Sequence, residues 1–175
     1  MSNAIDMLRE DHRKMKELFH QFERAEEHDR KEEIAHETLK ELRVHTALEE
    51  EIFYPAAREQ IDEKGRIAEA FEEHHVAKIL LSELQKMSSH DQRFEAKYKV
   101  LAESVKHHIQ EEESRLFPML EDSLNADELG QEMEQRKDKL QQVPFKRFAF
   151  GAGNRANARR TSARKLRRRA AAGGR

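Results

Sequence analysis

Cysteine is absent from the 175 residues of the chain, and this absence limits the chemistry open to it. Without thiols the chain cannot form a disulfide, a thiolate zinc site or a cysteine-ligated iron–sulfur cluster, so a metal would have to bind imidazole and carboxylate groups. Only 6 glycines and 3 prolines are present, which disfavours an all-β fold or a glycine-rich phosphate loop. No apolar run approaches the ~20 residues of a membrane span, and the polar first residues lack the apolar stretch of a signal peptide. We therefore expect a soluble, cytoplasmic protein.

Charge is divided unevenly along the chain. Residues 144–175 contain 11 lysines and arginines and no acid, whereas residues 1–143 contain 22 lysines and arginines and 35 acids. Few large apolar side chains accompany the like charges, so we predict that residues 144–175 form a disordered basic tail. Such a tail can attract nucleic acid or another anionic surface without reading a base sequence. The alternative, which we favour, is a solvated extension that the acidic part of the chain partly neutralises.

Apolar residues recur every three to four positions in four long stretches, which is the spacing of one helix face. The stretches cover about residues 2–27, 30–60, 65–87 and 92–122. Pro55, inside the second stretch, is expected to end or kink that helix, because proline lacks an amide proton and clashes with the preceding turn. Four amphipathic helices joined by short turns indicate an all-α, up-down-up-down four-helix bundle, which we assign to residues 1–124. A short, charged helix is predicted at residues 125–143.

The chain also contains an internal repeat. A shift of 62 residues relates the first stretch to the third, mapping Ile5, Leu8, His12, Met15, Phe19 and Phe22 onto Ile67, Ala70, His74, Ala77, Leu81 and Leu84. A shift of 63 residues relates the second stretch to the fourth, mapping Leu42, His45, Glu49 and Pro55 onto Val105, His108, Glu112 and Pro118. Two related helical hairpins build a bundle with an approximate twofold axis, so we expect the repeated polar residues to meet near its centre.

Each half of the repeat places a histidine on its first helix and a His-x-x-x-Glu motif on its second. Because residues i and i+4 share a helix face, the imidazole and the carboxylate of each motif can bind the same ion. Burying these groups unpaired would destabilise the fold, and cations between the helices would remove that penalty. The predicted metal ligands are His12, His45, Glu49, His74, His108 and Glu112. Nitrogen and oxygen ligands without sulfur suit iron, manganese or zinc.

Simpler interpretations exist for each residue taken singly. A lone histidine on an apolar helix face is more often a hydrogen-bonded core residue than a ligand, and one mononuclear site is an alternative to a metal pair. His75 and His107 stand next to predicted ligands, but their helix faces are less apolar, so His74 and His108 are favoured. The second hypothesis for the whole chain is a metal-free helical interaction module whose histidines are core polar residues, with nucleic-acid contact through the tail.

Four segments of this pattern resemble the hemerythrin family, in its HHE cation-binding branch: Asp-His at 11–12, HTALEEEIFYP at 45–55, Glu-His at 73–74 and HIQEEESRLFP at 108–118. The resemblance covers roughly residues 4–122. It implies a four-helix bundle with a non-haem di-iron cofactor, in which the four histidines are terminal ligands and the two glutamates bridge the irons: His12, His45, His74 and His108, and Glu49 and Glu112. It also implies a small ligand such as O2, peroxide or NO, or a role in sensing iron or oxygen status.

The pattern departs from that of oxygen-carrying hemerythrins in two places. Those proteins have a second histidine four residues after the third-helix ligand, where this chain has Lys78, and an aspartate five residues after the fourth-helix histidine, where this chain has Glu112 after four. Six protein ligands leave two irons with more open positions than in an oxygen carrier, so reversible oxygen transport is not expected. Tyr98, on the helix face of His108, is either an additional ligand or a core residue, and we favour the core position.

Overall fold

The computed structural model describes residues 3–121 and 124–144, which form helices and no strands. In chain order the elements are α1 (Ala4–Arg24), α2 (His28–Leu48), a first π turn (Glu49–Phe53), α3 (Tyr54–Gln60), α4 (Lys64–Leu84), α5 (Phe94–Glu111), a second π turn (Glu112–Leu116), α6 (Phe117–Leu120) and α7 (Ala126–Gln142). α2 continues through the first π turn into α3, and α5 continues through the second into α6. The described residues thus form four long helical segments and one shorter helix, α7. We call the four long segments rods: α1, α2 with the first π turn and α3, α4, and α5 with the second π turn and α6. The prediction of an all-α bundle with a short C-terminal helix is confirmed.

The local sequence determines where α1 begins and ends. Asn3 is the N-cap, because its side-chain oxygen accepts hydrogen bonds from the backbone N–H groups of Ile5 (2.9 Å) and Asp6 (3.3 Å). The apolar face of the helix is buried along its length. The backbone becomes extended at Ala25 and α2 begins at His28, so the two helices form a hairpin. α4 and α5 form the second hairpin, with a longer connection over residues 85–93 that begins with Gln85 still in the helical region.

The two π turns lie at matching places in the two hairpins, and each begins at the glutamate of a His-x-x-x-Glu motif. The Tyr54 N–H donates to the Glu49 carbonyl oxygen, five residues back, and the Phe117 N–H donates to the Glu112 carbonyl. The next residue in each rod is a proline, whose ring would collide with the carbonyl four residues back in a regular α-helix. The wider turn accommodates this ring. Of the two expectations for Pro55, an end to the helix is therefore wrong, since the rod continues as α3.

The hydrophobic core is divided into two clusters by a layer of buried polar residues. One cluster includes Phe22 and Tyr98, whose rings stack 3.6 Å apart, and the other includes Phe53 and Phe117. The layer between them consists of His12, His45, Glu49, His74, His108 and Glu112. Burying one large apolar side chain contributes about 1.5–3 kcal/mol. Apolar packing on both sides therefore holds the polar layer in place.

α7 packs on α1 and α2 and makes the bundle asymmetric. Met133 is fully buried in the second apolar cluster. Arg136 forms an ion pair with Glu51 (2.6 Å), and Lys137 forms one with Asp11. The short helix is thus attached to the first hairpin by one apolar anchor and two charged contacts.

Two further sequence expectations concern membrane spans and the basic tail. Among the described helices, none combines the length and the apolar character of a membrane span. The predicted basic tail at residues 144–175 lies outside the described residues, apart from Pro144. Its disorder therefore stays a prediction.

Candidate metal centre

The structure brings the six predicted ligands together in the polar layer. The four rods supply one histidine each, and each π turn supplies its first residue: His12 from α1, His45 from α2, His74 from α4, His108 from α5, and Glu49 and Glu112 from the π turns. All six residues are at most 4% exposed. The 3–4 residue spacing of each rod places them on the core-facing side, between residues of the two apolar clusters.

The imidazoles form two pairs, one in each hairpin. The rings of His12 and His45 lie 4.9 Å apart, and the Nε2 atoms of His74 and His108 lie 3.1 Å apart. We call these pairs the N-terminal and the C-terminal ion position. Two sets of ligand atoms lie within 4.8 Å of one another: His12, His45, Glu49 and Glu112, and Glu49, His74 and His108. Because Glu49 belongs to both sets, the two positions share a carboxylate.

Each buried carboxylate lies between the two pairs. Glu49 Oε2 is 3.1 Å from the Nε2 atom of His45 and 3.2 Å from that of His74. Glu112 Oε2 is 3.2 Å from the Nε2 atom of His12 and 3.4 Å from that of His108. Each carboxylate thus faces one histidine of either hairpin. This is the placement expected of bridging ligands.

Several polar atoms of the layer are buried without a hydrogen bond to any described residue. They are Nε2 of His12, both ring nitrogens of His45, both carboxylate oxygens of Glu49, and Oε2 of Glu112. Leaving a buried polar group unpaired costs about 1–3 kcal/mol, and more when the group is charged. Imidazole nitrogen and carboxylate oxygen are the atoms that bind iron, manganese or zinc. The residues therefore fit a pair of metal ions.

The two carboxylates ionise differently in the metal-free cluster. Burial, and then the charge of Glu112, raises the pKa of Glu49 well above its ordinary value. Burial also acts to raise the pKa of Glu112, but the imidazoles of His108 and His12 outweigh it and bring that pKa well below its ordinary value. Glu112 is therefore ionised at neutral pH, whereas Glu49 is driven toward its protonated form.

The imidazoles differ in the same way. Burial, and then the charge of a neighbouring histidine, lowers the pKa of His45 well below its ordinary value and that of His74 to about 4. Burial acts to lower the pKa of His12 and His108 too, but the nearby carboxylates, Glu112 above all, raise both. Without metal, close acids and bases share a small number of protons. Two divalent cations would replace these protons and neutralise both carboxylates.

Three of the four imidazoles contact a second carboxylate through the ring nitrogen that faces away from the centre. The Nδ1 distances are 2.9 Å from His12 to Glu113, 3.0 Å from His74 to Glu50, and 2.7 Å from His108 to Glu73. A carboxylate on Nδ1 fixes the orientation of the ring and leaves Nε2 available to a metal. Each of these acids is the sequence neighbour of a predicted ligand.

Lysines in α1 and α4 pair with two of these acids. Lys16 Nζ lies 3.0 Å from Glu113, and Lys78 contacts Glu50. The two lysines occupy equivalent places in the repeat, four residues after a histidine. Lys78 stands where oxygen carriers have a second histidine, and here its side chain contacts an acid that supports His74. The repeated His-x-x-x-Lys spacing is a sequence signal for these outer acids.

His45 is the exception among the four histidines. Its Nδ1 atom lies 4.0 Å from the nearest Asp11 carboxylate oxygen and has no hydrogen-bond partner among the described residues. Asp11 is paired with Lys137 of α7. The two ion positions therefore differ in their outer contacts.

Tyr54 is the residue of this cluster that sequence reasoning missed. Its buried hydroxyl donates to Glu112 Oε1 (2.9 Å) and lies 3.4 Å from the Nε2 atoms of His74 and His108. Burial, and then the charge of Glu112, raises the pKa of Tyr54 well above its ordinary value. The repeat carried a signal, because the equivalent residue of the other half is Phe117, which has no hydroxyl.

The alternatives left open by the sequence lie elsewhere. The Tyr98 hydroxyl is hydrogen-bonded to Thr38 Oγ1 (2.7 Å) inside an apolar cluster, so Tyr98 is a core residue. His75 and His107 are exposed, whereas their neighbours His74 and His108 are buried.

Two small cavities adjoin the polar layer. One, of about 10 Å³, is lined by His45, His74 and His108 among others. The other, of about 30 Å³, lies between α4 and the second π turn and is lined by His108 and Glu112 among others. Since about 10–15 Å³ holds one water, these spaces admit species of only a few atoms.

Comparison with known proteins agrees with this geometry. The family model of the hemerythrin HHE cation-binding domain matches residues 3–120. A protein named DNA nickase from Nostoc sp. strain PCC 7120 is 30% identical over 143 residues, which cover 80% of this chain and 40% of that protein. An uncharacterized hemerythrin-like protein of Schizosaccharomyces pombe is 30% identical over 130 residues, covering 73% of this chain and 64% of that protein.

A solved structure shares the fold. The crystal structure of a hemerythrin HHE cation binding domain-containing protein from Mycobacterium kansasii matches with a TM-score of 0.70 and 25% identity, covering 81% of this chain and 88% of that one. The chain spans less than two thirds of the length of the Nostoc and Schizosaccharomyces relatives. The matched residues, the fold and the buried layer of histidines and glutamates all agree with one family. The chain belongs to the hemerythrin HHE cation-binding domain family.

Proposed function

We propose that the chain is a non-haem di-iron protein that binds or reacts with O2, peroxide or NO. The observation that supports this proposal is the pair of two-histidine positions with two buried carboxylates between them. His12 and His45 would hold one iron. His74 and His108 would hold the other, and Glu49 and Glu112 lie between the two histidine pairs. When bound, two ferrous ions supply two electrons to O2 or peroxide, or a binding site for NO. The same ligand set would let the chain report iron or oxygen status.

The chain's own side chains orient the ligands and restrict access. Carboxylates on the Nδ1 atoms of three histidines hold the proton there, so that Nε2 is the metal-binding nitrogen. The raised pKa of Tyr54 keeps its hydroxyl protonated, and the hydroxyl is a hydrogen-bond donor beside the C-terminal position. The two cavities that adjoin the layer have room for species of only a few atoms, so they would restrict which molecules reach the ligands.

Metal content and the absorption spectrum test the proposal. Purified protein reconstituted anaerobically with ferrous iron is expected to bind about two irons per chain and to gain visible bands on exposure to air or peroxide. Replacing a predicted ligand, His74→Ala, is expected to reduce the iron content to about one or less. His75→Ala is the matched control, because His75 is the exposed neighbour on the same helix, and it should leave iron content unchanged.

The opposite result favours the metal-free interaction module. A reconstituted protein that binds less than one equivalent of iron and stays colourless contradicts the di-iron proposal. Equal thermal stability with and without a chelator would point to the same conclusion, since a ligand that binds only the folded state must stabilise it.

A second candidate function is weak association with nucleic acid or another anionic partner through the tail. Two observations favour it: 11 bases without an acid in residues 144–175, and a relative named DNA nickase. Retention of the full chain on immobilised DNA at low salt should fall steeply as salt rises. Deletion of residues 144–175 should abolish it, and unchanged retention by the truncated chain would dismiss this function.

A further inference from the structure

We propose that α7 weakens metal binding at the N-terminal ion position, with Lys137 as a positioning residue that keeps the Asp11 carboxylate away from His45. The two ion positions then fill in sequence, the C-terminal position before the N-terminal one. This inference rests on the proposed di-iron function and adds to it an order of loading and a control element outside the four rods.

The outer contacts of the histidines differ between the two positions. At the C-terminal position both Nδ1 atoms contact a carboxylate, at 3.0 Å to Glu50 and 2.7 Å to Glu73. At the N-terminal position the Nδ1 atom of His12 has such a contact, whereas that of His45 is buried 4.0 Å from Asp11 Oδ2. One imidazole of this position therefore lacks the support that the other three have.

Side-chain length is one cause of the difference. Asp11 and Glu73 are equivalent in the repeat, 62 residues apart, and each directly precedes the histidine of a first helix. Glu73 is longer by one methylene group, and its carboxylate reaches His108. The Asp11 carboxylate stops short of His45.

α7 supplies the second cause. Lys137 Nζ forms an ion pair with Oδ1 of Asp11, the carboxylate whose other oxygen faces His45. Asp11 is only 8% exposed, so water screens this pair less than it screens a surface pair. Met133 holds α7 against the first hairpin. Lys137 therefore lies beside the N-terminal ion position, which the same hairpin provides.

The missing contact has a consequence for affinity. A carboxylate on Nδ1 makes the imidazole a better ligand, and removing such a partner costs roughly 10–100-fold in metal affinity. Lack of this support is therefore expected to weaken divalent-ion binding at the N-terminal position by about tenfold or more. A chain with a single ion holds it at the C-terminal position.

Titration of the metal-free full chain with cobalt(II), followed by visible absorption and calorimetry, tests this order. Two binding steps are expected, separated by about tenfold or more in affinity. Asp11→Glu supplies the missing methylene group and Lys137→Met removes the cation, so each should tighten the weaker step by about tenfold and leave the tighter step unchanged. Lys139→Met, an exposed lysine of the same helix, is the matched control and should change neither. The reciprocal change, Glu73→Asp, should weaken the tighter step.

Each other outcome counts against a defined part of the inference. Two steps of equal affinity, or a weaker step unaffected by Asp11→Glu, would overturn the loading order while leaving the di-iron proposal intact. Tightening by Asp11→Glu but not by Lys137→Met would remove the role of Lys137. Binding of fewer than two cobalt ions would instead contradict the proposed function. Circular dichroism of the metal-free variants, compared with Lys139→Met, checks that affinity and not folding has changed.

Discussion

Single residues beside the predicted ligands decide how the ligands are held. Glu50 follows Glu49 in the sequence, yet its carboxylate contacts His74 of another helix, and Glu113 contacts His12 in the same way. Consecutive residues of a helix point about 100° apart, since a turn takes 3.6 residues. One carboxylate of each Glu-Glu pair therefore lies between the histidine pairs, while the next lies behind an imidazole of a neighbouring rod.

Tyr54→Phe is expected to destabilise the metal-free protein without removing a predicted ligand. The substitution removes the hydroxyl that donates to Glu112, and a hydrogen bond to a charged group contributes about 1.5–3 kcal/mol. Urea unfolding in the presence of a chelator measures this loss. In the iron-loaded protein the same change should alter the visible spectrum, because the hydroxyl lies beside the C-terminal position.

Tyr98→Phe is the matched control for that experiment. It removes a neutral hydrogen bond to Thr38, so the expected loss is about 0.5–1.5 kcal/mol and the iron spectrum should stay unchanged. Equal losses in the two variants, or a spectrum that only Tyr98→Phe alters, would contradict the placement of Tyr54 in the centre.

At the scale of secondary structure, the π turns place Tyr54 on the same helix face as Glu49, and Phe117 on the same face as Glu112. A π turn joins residue i to residue i+5, so Tyr54 lies above Glu49, whereas a regular α-helix would place residue i+4 there. The second hairpin repeats this arrangement with Glu112. Because of these turns, each helix continues through its proline, and a buried aromatic ring lies next to the polar layer.

α7 depends on its apolar anchor more than on its surface charges. Met133 is fully buried, so Met133→Ala is expected to cost about 2–5 kcal/mol of unfolding free energy. Arg136 and Glu51 are both more than a third exposed, so Arg136→Ala should cost less than about 1 kcal/mol, and still less at high salt. Denaturant unfolding of the two variants at low and high salt measures the difference, and a larger loss for Arg136→Ala would contradict this account of α7.

At the scale of the whole molecule, the polar layer lies where the two hairpins meet. Without cations, close carboxylates and imidazoles face one another across that boundary, and with cations the same atoms would join the hairpins. With the proposed metal pair in place, the layer would be the part of the core whose stability depends most on metal.

Removing metal is expected to lower the melting temperature by roughly 10 °C. A ligand present at about 1,000 times its Kd stabilises the folded state by about 4 kcal/mol, and 1 kcal/mol corresponds to about 2–4 °C for a domain of this size. Thermal melts of iron-loaded and chelator-treated protein measure the shift. Hydrogen exchange should show the loss of protection concentrated in the rods around the polar layer, and an identical melting temperature in both states would count against a metal centre.

The helices, their core faces and the six candidate ligands follow from the sequence by itself. Apolar spacing of three to four residues, the Asn3 cap and the His-x-x-x-Glu motifs are local patterns, and the internal repeat shows that two hairpins carry the same set of groups. The existence and core face of each helix depend on such near neighbours, which is why they can be predicted without coordinates, whereas the two π turns were not predicted.

Only the tertiary structure decides which groups meet across the helices. The contacts of Glu73 with His108 and of Tyr54 with Glu112, and the gap between Asp11 and His45, depend on distances between rods that are far apart in the sequence. The attachment of α7 to the first hairpin breaks a symmetry that the repeat alone implies. The Glu73–His108 contact is 2.7 Å long and the Asp11–His45 gap is 4.0 Å wide, and helix packing sets this difference.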